Sequence, residues 1–206
     1  MTLTHFAIIA VCAYLLGSLS FAIIVSKVTL GKDIRNYGSG NAGLTNAYRT
    51  MGAKKTLFVL LGDIAKGAAA VSVGWALGGP VGKLTAGIFV ILGHMFPLYF
   101  GFKGGKGVLV GAGAALATEP LVCAVLLAIF LIEVAVTRIV SLGSIIIAAL
   151  YPVGTLINLI ARGANLPTIV FSTVCCVTMA AMVIWLHRSN IERLKNGTEY
   201  RFGQKK

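Results

Sequence analysis

The chain has 206 residues, of which 57% are hydrophobic and only 12% are charged, and its mean hydropathy is +0.90. Soluble domains carry about 25% charged residues, so this composition excludes an ordinary soluble domain and indicates a membrane protein with several spans. The formal net charge is +12, but the cations lie in short segments between apolar stretches. That placement argues against nucleic acid as a partner and for contacts with anionic lipid headgroups or substrates.

Seven apolar stretches predict seven transmembrane helices, since a helix needs about 20 apolar residues to cross a bilayer. In chain order the predicted helices are Leu3–Ser26, Thr56–Leu77, Leu84–Phe100, a short Val108–Thr118, Leu121–Val136, Ile139–Ile160 and Pro167–His187. The apolar stretch 108–136 is too long for one span, and Glu119-Pro120 divides it. Proline lacks a backbone donor and disfavours helix in the residue before it.

The positive charges predict the orientation of these helices. With the N-terminus outside, only Lys83 and Arg162 of the 18 lysines and arginines are placed outside, and Lys66 lies within a span. All other cations, including Lys205 and Lys206 in the tail, are placed in the cytoplasm, as the positive-inside rule requires. The sequence therefore predicts an all-α polytopic helical bundle with a cytoplasmic C-terminus, forming a single domain over residues 1–206.

The first unusual segment on the cytoplasmic side is Gly38-Ser39-Gly40-Asn41-Ala42-Gly43-Leu44-Thr45-Asn46-Ala47-Tyr48-Arg49. It combines glycines with short hydroxyl and amide side chains and ends in arginine. Such a segment can offer backbone donors, side-chain donors and a guanidinium group to one anion. Taken alone, the same composition also fits an ordinary glycine-rich loop.

The second unusual segment, Lys103-Gly104-Gly105-Lys106-Gly107, has the composition of an anion-binding loop. Glycines let backbone N–H groups converge on an oxyanion while lysine supplies positive charge. The segment is not a Walker A motif, because Val108 follows Gly107 where that motif has a serine or threonine. ATP is therefore not predicted, and a flexible basic turn is the alternative. His94, near the end of the preceding helix, is interpreted as structural rather than catalytic.

Two further segments lie on the same side of the membrane, Arg138–Ser144 and His187–Leu194. Ser144 either contacts substrate or bonds back to a helix carbonyl, and the basic residues after the last span either contact substrate or anchor the chain to lipid. Asp63 and Lys66 share one helix face within a span, so they pair with each other or line the site.

Together these segments resemble the bacterial integral-membrane acyl-phosphate:glycerol-3-phosphate acyltransferases. The matching segments are GSGNAGLTNAYR, GDIAKG, GHMFPLYFGFKGGKGV, RIVSLGS and HRSNIERLKNGTE. The resemblance implies transfer of a fatty acyl group from acyl phosphate to the 1-position of glycerol 3-phosphate, giving lysophosphatidate and inorganic phosphate for phospholipid synthesis. It also implies a seven-helix fold and a proton acceptor that is a substrate phosphate.

The resemblance assigns roles to residues by their place in these motifs. Catalytic roles fall to Ser39, Asn41, Arg49, Lys106, His187 and Asn190, and substrate binding to Gly40, Gly43, Thr45, Asn46, Gly104, Gly105, Gly107 and Ser144. No hydrolase triad, HExxH motif or paired-histidine metal spacing is present in the sequence, so neither a metal nor another cofactor is expected. Acyl phosphate has a good leaving group, so orientation and charge stabilisation suffice without a strongly activated nucleophile.

The competing interpretation is a transporter or exchanger of organic phosphates, whose pathway the same basic loops would line. That class requires polar residues on both sides of the bilayer midplane, whereas the outer halves of these spans are almost wholly apolar. The acyltransferase interpretation predicts acyl phosphate, glycerol 3-phosphate and membrane lipid as partners, and the bacterial cytoplasmic (inner) membrane as the location. The oligomeric state is left open, and a monomer is compatible with the sequence.

Overall fold

The computed structural model describes residues 1–203, and every regular element in that part of the chain is helical. The α-helices are α1 (Leu3–Gly17), α2 (Phe21–Leu30), α3 (Leu44–Met51), α4 (Ala53–Met95), α5 (Val108–Thr118), α6 (Pro120–Thr137), α7 (Val140–Ala161), α8 (Leu166–Leu186) and α9 (Arg188–Lys195). The predicted all-α fold is therefore confirmed. Lys205 and Lys206, counted among the cytoplasmic cations, lie outside the described residues.

Five segments of the described chain are long and apolar enough to cross a membrane. They are Leu3–Leu30, Ala53–Phe100, Pro120–Thr137, Val140–Ala161 and Leu166–Leu186. The α5 helix is apolar but shorter, and its 11 residues extend about 16 Å at 1.5 Å per residue. The chain thus has the elements of a multi-pass membrane protein, while seven crossings and the orientation of the termini stay predictions.

The α4 helix is two helical arms joined by a sharp reversal at Gly79-Pro80. Gly79 has φ 58° and ψ −144°, a backbone conformation that glycine adopts without strain. A Cβ atom on Gly74 would collide with the Gly82 carbonyl oxygen, and a Cβ atom on Gly82 would collide with the Gly74 carbonyl oxygen. In a straight helix these two residues would be about 12 Å apart, so the chain must fold back between them. The predicted interruption between Leu77 and Leu84 is confirmed.

A second predicted interruption separates α5 from α6. The α5 helix ends at Thr118, Glu119 has non-helical dihedral angles, and α6 begins with Pro120 in its first turn. Proline is well suited to a first turn because its missing N–H group would have no partner there. The chain divides into two compact units at this break, the first being Met1–Thr118 and the second beginning at Glu119. The prediction of a single domain over 1–206 stays a prediction.

In the first unit, a small apolar core supports the first glycine-rich segment. Its buried members are Ala22, Ile23, Ile34, Ala42, Ala47 and Val59. They come from α2, from the segment that follows it, from α3 and from the beginning of α4. The glycine-rich segment is therefore seated on packed helices rather than extended into solvent.

In the second unit, α6 packs against α7 and α7 against α8. Glycines allow close approach at these contacts, since a Cβ atom on Gly154 would lie 2.9 Å from Val122 Cγ1. After α9 the chain folds back, and the backbone N–H of Phe202 donates to the Arg138 carbonyl oxygen at 2.6 Å. The tail is thereby fixed against the turn that joins α6 to α7.

Candidate active site

The first glycine-rich segment is folded around the side chain of Asn46, which is 1% exposed. Its Nδ2 group donates to the carbonyl oxygens of Ile34, Tyr37 and Asn41 at 3.3, 3.0 and 3.0 Å. Its Oδ1 atom accepts from the Ser39 backbone N–H at 2.9 Å. Asn46 therefore holds the loop in shape, and its assignment to substrate binding stays a prediction.

The other predicted residues of this loop are more accessible than Asn46. Ser39, Gly40 and Arg49 are exposed, while Asn41, Gly43 and Thr45 are half-buried. Gly43 is the N-cap of α3, and its carbonyl oxygen accepts from the Ala47 N–H at 2.9 Å. The N–H groups in the first turn of a helix have no partner within the helix, so this end of α3 favours anions.

The second glycine-rich segment is attached to the end of α4. The Gly104 N–H donates to the Met95 carbonyl oxygen, and the Gly105 N–H donates to the His94 carbonyl oxygen, both at 3.1 Å. The expectation that these two N–H groups converge on an oxyanion is wrong, because both already have acceptors on α4. The substrate-binding assignment of the two glycines stays a prediction, but the donors must come from other groups.

The two glycine-rich segments lie directly against each other. A Cβ atom on Gly105 would lie 2.6 Å from the Ala42 carbonyl oxygen and would collide with His94 Nε2. A Cβ atom on Gly104 would lie 2.6 Å from Pro97 Cδ. The structure therefore brings together two loops that are about sixty residues apart in the sequence, and glycine is needed for this close packing.

The groups suited to hold an anion in the second loop are Lys106 and the start of α5. Lys106 is half-buried, and Gly107, with φ 85°, leads directly into α5. The Gly107 carbonyl oxygen accepts from the Gly111 N–H at 2.8 Å, which begins the helical hydrogen bonding. A lysine beside a helix N-terminus is a suitable arrangement for a phosphate group.

Arg35, which precedes the first loop, holds the start of the second loop, a role that sequence reasoning missed. It donates to the carbonyl oxygens of Phe100 at 2.6 Å and Lys103 at 3.1 Å. Its guanidinium group also forms an ion pair with Asp33 at 2.8 Å, and that hydrogen-bonded arginine holds the pKa of the Asp33 carboxyl below its usual value. The sequence signal for this role is the spacing of Asp33 and Arg35, which are two residues apart. The orientation rule uses Arg35 only as one more cytoplasmic cation.

In the second unit, His187 ends α8 with its ring buried. The distance from Nδ1 to the Val183 carbonyl oxygen is 2.8 Å. Because a carbonyl oxygen can only accept, Nδ1 carries the proton, and in the neutral ring Nε2 then has the lone pair. The side chain is 3% exposed. His187 can therefore act as a proton acceptor or hydrogen-bond acceptor through Nε2.

Asn190 and Ser141 share one carboxylate, that of Glu199. Asn190 Nδ2 and Ser141 Oγ donate to Oε1 at 2.7 and 2.8 Å, and Arg193 Nε donates to Oε2 at 2.7 Å. Burial alone would raise the pKa of the Glu199 carboxyl, but the hydrogen bonds from Asn190, Ser141 and Arg193 lower it below its usual value. The role of Glu199 was not predicted, since its only signal in the sequence is an acidic residue in a basic tail.

Ser144 makes a local contact. Its Oγ donates to the Val140 carbonyl oxygen at 2.8 Å, one of the two roles that the sequence left open for it. The side chain is buried, so its contact with substrate stays a prediction. Among residues 1–203, no group of three or more His, Cys, Asp or Glu side chains is arranged to hold a metal ion.

Comparison with known proteins gives a consistent result. A family model described as glycerol-3-phosphate acyltransferase matches residues 7–197. The glycerol-3-phosphate acyltransferase of Clostridioides difficile (strain 630) is 43% identical over 212 residues, covering 100% of both chains. That of Geobacillus kaustophilus (strain HTA426) is 41% identical over 193 residues, covering 94% of each.

Two solved structures have the same fold. The crystal structure of PlsY (YgiH), an integral membrane glycerol 3-phosphate acyltransferase, in its glycerol 3-phosphate form has a TM-score of 0.84 and 34% identity. It covers 96% of each chain. The lysophosphatidic acid form has a TM-score of 0.81 and 32% identity, covering 96% of this chain and 95% of that one.

Proposed function

This chain belongs to the glycerol-3-phosphate acyltransferase family, and we propose that its acyl donor is acyl phosphate. In the proposed reaction, the hydroxyl oxygen at the 1-position of glycerol 3-phosphate attacks the carbonyl carbon of acyl phosphate. The bond between that carbon and the phosphate oxygen breaks. The products are 1-acyl-glycerol 3-phosphate and inorganic phosphate, and the proton of the hydroxyl leaves with a phosphate oxygen.

The observation that carries the proposal is the contact between the two glycine-rich loops at Ala42 and Gly105. Each loop leads directly into a helix N-terminus, that of α3 or that of α5. An acyl-phosphate donor and a glycerol 3-phosphate acceptor present two phosphate groups. Two loops that meet at Ala42 and Gly105, each leading into a helix N-terminus and the second carrying Lys106, suit two phosphate groups. A thioester donor would present its carbonyl without a phosphate beside it.

We assign the two phosphates to different groups. The acyl-phosphate group is assigned to the loop Ser39–Asn46 and to Gly104–Gly107, since the donor's lipid tail keeps its carbonyl near the membrane boundary. From the sequence motifs alone, the phosphate of glycerol 3-phosphate is assigned to Arg49, Lys106, Ser144, His187 and Asn190. Lys106 is assigned the role of neutralising the charge that develops on the departing phosphate.

The proposal requires no activated nucleophile on the protein. Phosphate is a good leaving group, so the protein contributes orientation and charge stabilisation. The proton of the attacking hydroxyl is assigned to a substrate phosphate, which is basic enough near neutral pH because its second pKa is about 6.

The proposed topology has seven crossings of the bacterial cytoplasmic membrane, with the N-terminus outside. In this topology both loops face the cytoplasm, where glycerol 3-phosphate is dissolved.

The test uses the purified full-length protein in detergent with glycerol 3-phosphate and one of three donors: an acyl phosphate, the matching acyl-coenzyme A, or the matching acyl carrier protein thioester. We expect turnover only when acyl phosphate is the donor. Inorganic phosphate and 1-acyl-glycerol 3-phosphate should then form in equal amounts. Omitting glycerol 3-phosphate should abolish phosphate release. Turnover with a thioester and none with acyl phosphate would contradict the proposed donor while leaving the family assignment intact.

A further inference from the structure

A buried charged cluster lies behind the two loops of the first unit, and the proposed reaction does not use it. Asp63, Lys66 and His94 are 1%, 3% and 3% exposed. Lys66 Nζ lies 2.7 Å from Asp63 Oδ1, 2.6 Å from the Leu19 carbonyl oxygen and 2.9 Å from His94 Nδ1. Buried charges are expensive in a membrane protein, so the position of this cluster calls for a function.

Lys66 determines which ring nitrogen of His94 carries the proton. The contact with Asp63 is an ion pair rather than an aligned hydrogen bond, because Asp63 Oδ1 has no hydrogen-bond partner among the described residues. A lysine beside a carboxylate and a carbonyl oxygen is an ammonium group, which can only donate. His94 Nδ1 must therefore accept from Lys66, and the proton of the neutral ring lies on Nε2.

The Nε2 edge of the same ring faces the loops. A Cβ atom on Gly105 would collide with Nε2 and would lie 3.0 Å from His94 Cε1. The same atom would lie 2.6 Å from the Ala42 carbonyl oxygen, which belongs to the first loop. The His94 backbone also holds the second loop, since its carbonyl oxygen accepts from the Gly105 N–H at 3.1 Å. His94 thus contacts the point where the loops meet.

We propose that His94 is a positioning residue for the active site, held by the Lys66–Asp63 pair in the tautomer with its proton on Nε2, and that this N–H edge sets the spacing of the two glycine-rich loops. The part of the proposal that concerns substrate rests on the proposed function, because the loops are assigned there to phosphate groups. The part that concerns the His94 tautomer is independent of the proposed function. Lys66 and Asp63 act through His94 and need not touch substrate.

The tautomer is tested by nitrogen NMR on protein labelled with ¹⁵N-histidine in detergent micelles. The chain has three histidines, so His5→Gln and His187→Gln variants assign the His94 signals. We expect a neutral His94 ring at pH 7 with the proton on Nε2 in the wild-type protein. A proton on Nδ1, or on both nitrogens, would overturn the proposal whether or not the protein uses acyl phosphate.

The positioning role is tested by the double substitution Asp63→Leu/Lys66→Met. Replacing both members of a buried ion pair with apolar residues avoids leaving one charge unpaired, so the fold has a good prospect of surviving. We expect His94 to lose its single tautomer and kcat/KM to fall about 10²-fold, since misplacement of about 1 Å has effects of that size. KM should rise for both substrates, because both loops are affected.

The control is His5→Gln, which lies on the exposed first turn of α1 and should leave the kinetic constants unchanged. The conservative variant His94→Gln, which keeps an N–H donor toward the loops, should retain more activity than His94→Ala. Unchanged KM values in folded Asp63→Leu/Lys66→Met protein would overturn the positioning role. If the double variant does not fold, equal activities of His94→Gln and His94→Ala would overturn it instead.

Discussion

Asn190 donates its side-chain amide to Glu199 Oε1 across 2.7 Å, so a residue of the tail holds a predicted catalytic residue in place. The carboxylate also accepts from Ser141 and Arg193, and its side chain is 6% exposed. In a Glu199→Gln variant, the side-chain amide would keep an acceptor oxygen for Asn190 but would lose the negative charge that attracts Arg193. Glu199 therefore connects α7, α9 and the tail of the second unit.

Glu199→Ala should lower the melting temperature in detergent, because three donors lose their acceptor. Of these, Asn190 and Ser141 are buried, and each unsatisfied buried group costs about 1–3 kcal/mol. Glu199→Gln should lower the melting temperature less. The pKa of Glu199 is lowered in the folded protein, so its ionised form stabilises the fold above the ordinary carboxyl pKa of about 4.3 and that stabilisation is lost as the pH falls through the lowered value.

The melting-temperature difference between wild type and Glu199→Gln should accordingly be larger at pH 7 than at pH 3. Glu192→Gln is the matched control, since Glu192 is an exposed carboxylate on α9. Its effect on the melting temperature should be small at every pH. A difference for Glu199→Gln that grows as the pH falls would contradict the stabilising role of the carboxylate.

Gly105→Ala should reduce kcat/KM by at least about 10²-fold, because the added methyl group pushes the two glycine-rich loops apart and misplaces the groups that hold the phosphates. The contact at 2.6 Å is with the Ala42 backbone oxygen, which cannot rotate away as a side chain could. Steady-state kinetics with both substrates provide the measurement.

Gly111→Ala is the control for that substitution. A Cβ atom there would lie 3.6 Å from Ile91 Cδ1, which is ordinary van der Waals contact, so activity should stay close to that of the wild type. Equal kinetics for the two variants would show that the contact between the loops does not matter for turnover.

Lys106→Ala and Arg49→Ala should each reduce kcat/KM by at least about 10²-fold, through loss of a charge-assisted phosphate contact that contributes about 1.5–3 kcal/mol or more in the transition state. Lys103→Ala is the comparison, because Lys103 is exposed and its stem can lie along the interface while its charge stays in water. Its effect should be smaller. Near-wild-type kinetics for Lys106→Ala would remove the second loop from the site.

Incubation with EDTA should leave the activity unchanged. Asp33 pairs with Arg35 and Glu199 pairs with Arg193, and residues 1–203 contain no group of three or more acidic, histidine or cysteine side chains arranged for a metal ion. Neutralisation of the phosphate charge is assigned to Lys106, Arg49 and the helix N-termini rather than to a divalent ion. The measurement is the initial rate before and after chelation, and loss of activity with recovery on adding Mg²⁺ would contradict the metal-free proposal.

Local chemistry made parts of the fold predictable. Pro120 has no backbone donor, so the helix break before it could be predicted from the sequence. The segment between Leu77 and Leu84 is rich in glycine and contains Gly79-Pro80, where the chain reverses. The role of Glu199 was not predicted because its three partners converge only after the tail has folded back. For the glycines at 104 and 105, composition located the loop correctly but not their role, since only the folded backbone shows that the end of α4 occupies their N–H groups.

The division of the two phosphates predicts separate kinetic effects in the second unit. His187 is held through Nδ1 by the Val183 carbonyl oxygen, and Asn190 is held by Glu199, so both side chains have fixed orientations. Such preorganised groups suit a small polar substrate, because little side-chain entropy is lost on binding. Both residues are assigned to glycerol 3-phosphate and not to the lipid-anchored donor.

His187→Ala and Asn190→Ala should therefore raise KM for glycerol 3-phosphate far more than KM for acyl phosphate. The measurement varies one substrate at a time while the other is held at saturation, with melting temperatures recorded to confirm that the variants are folded. Thr178→Ala serves as a control on α8, since its exposed hydroxyl donates to the Val174 carbonyl oxygen in the same helix. Both KM values should stay unchanged. Equal increases in the two KM values, or an increase confined to acyl phosphate, would overturn this division of the two phosphates.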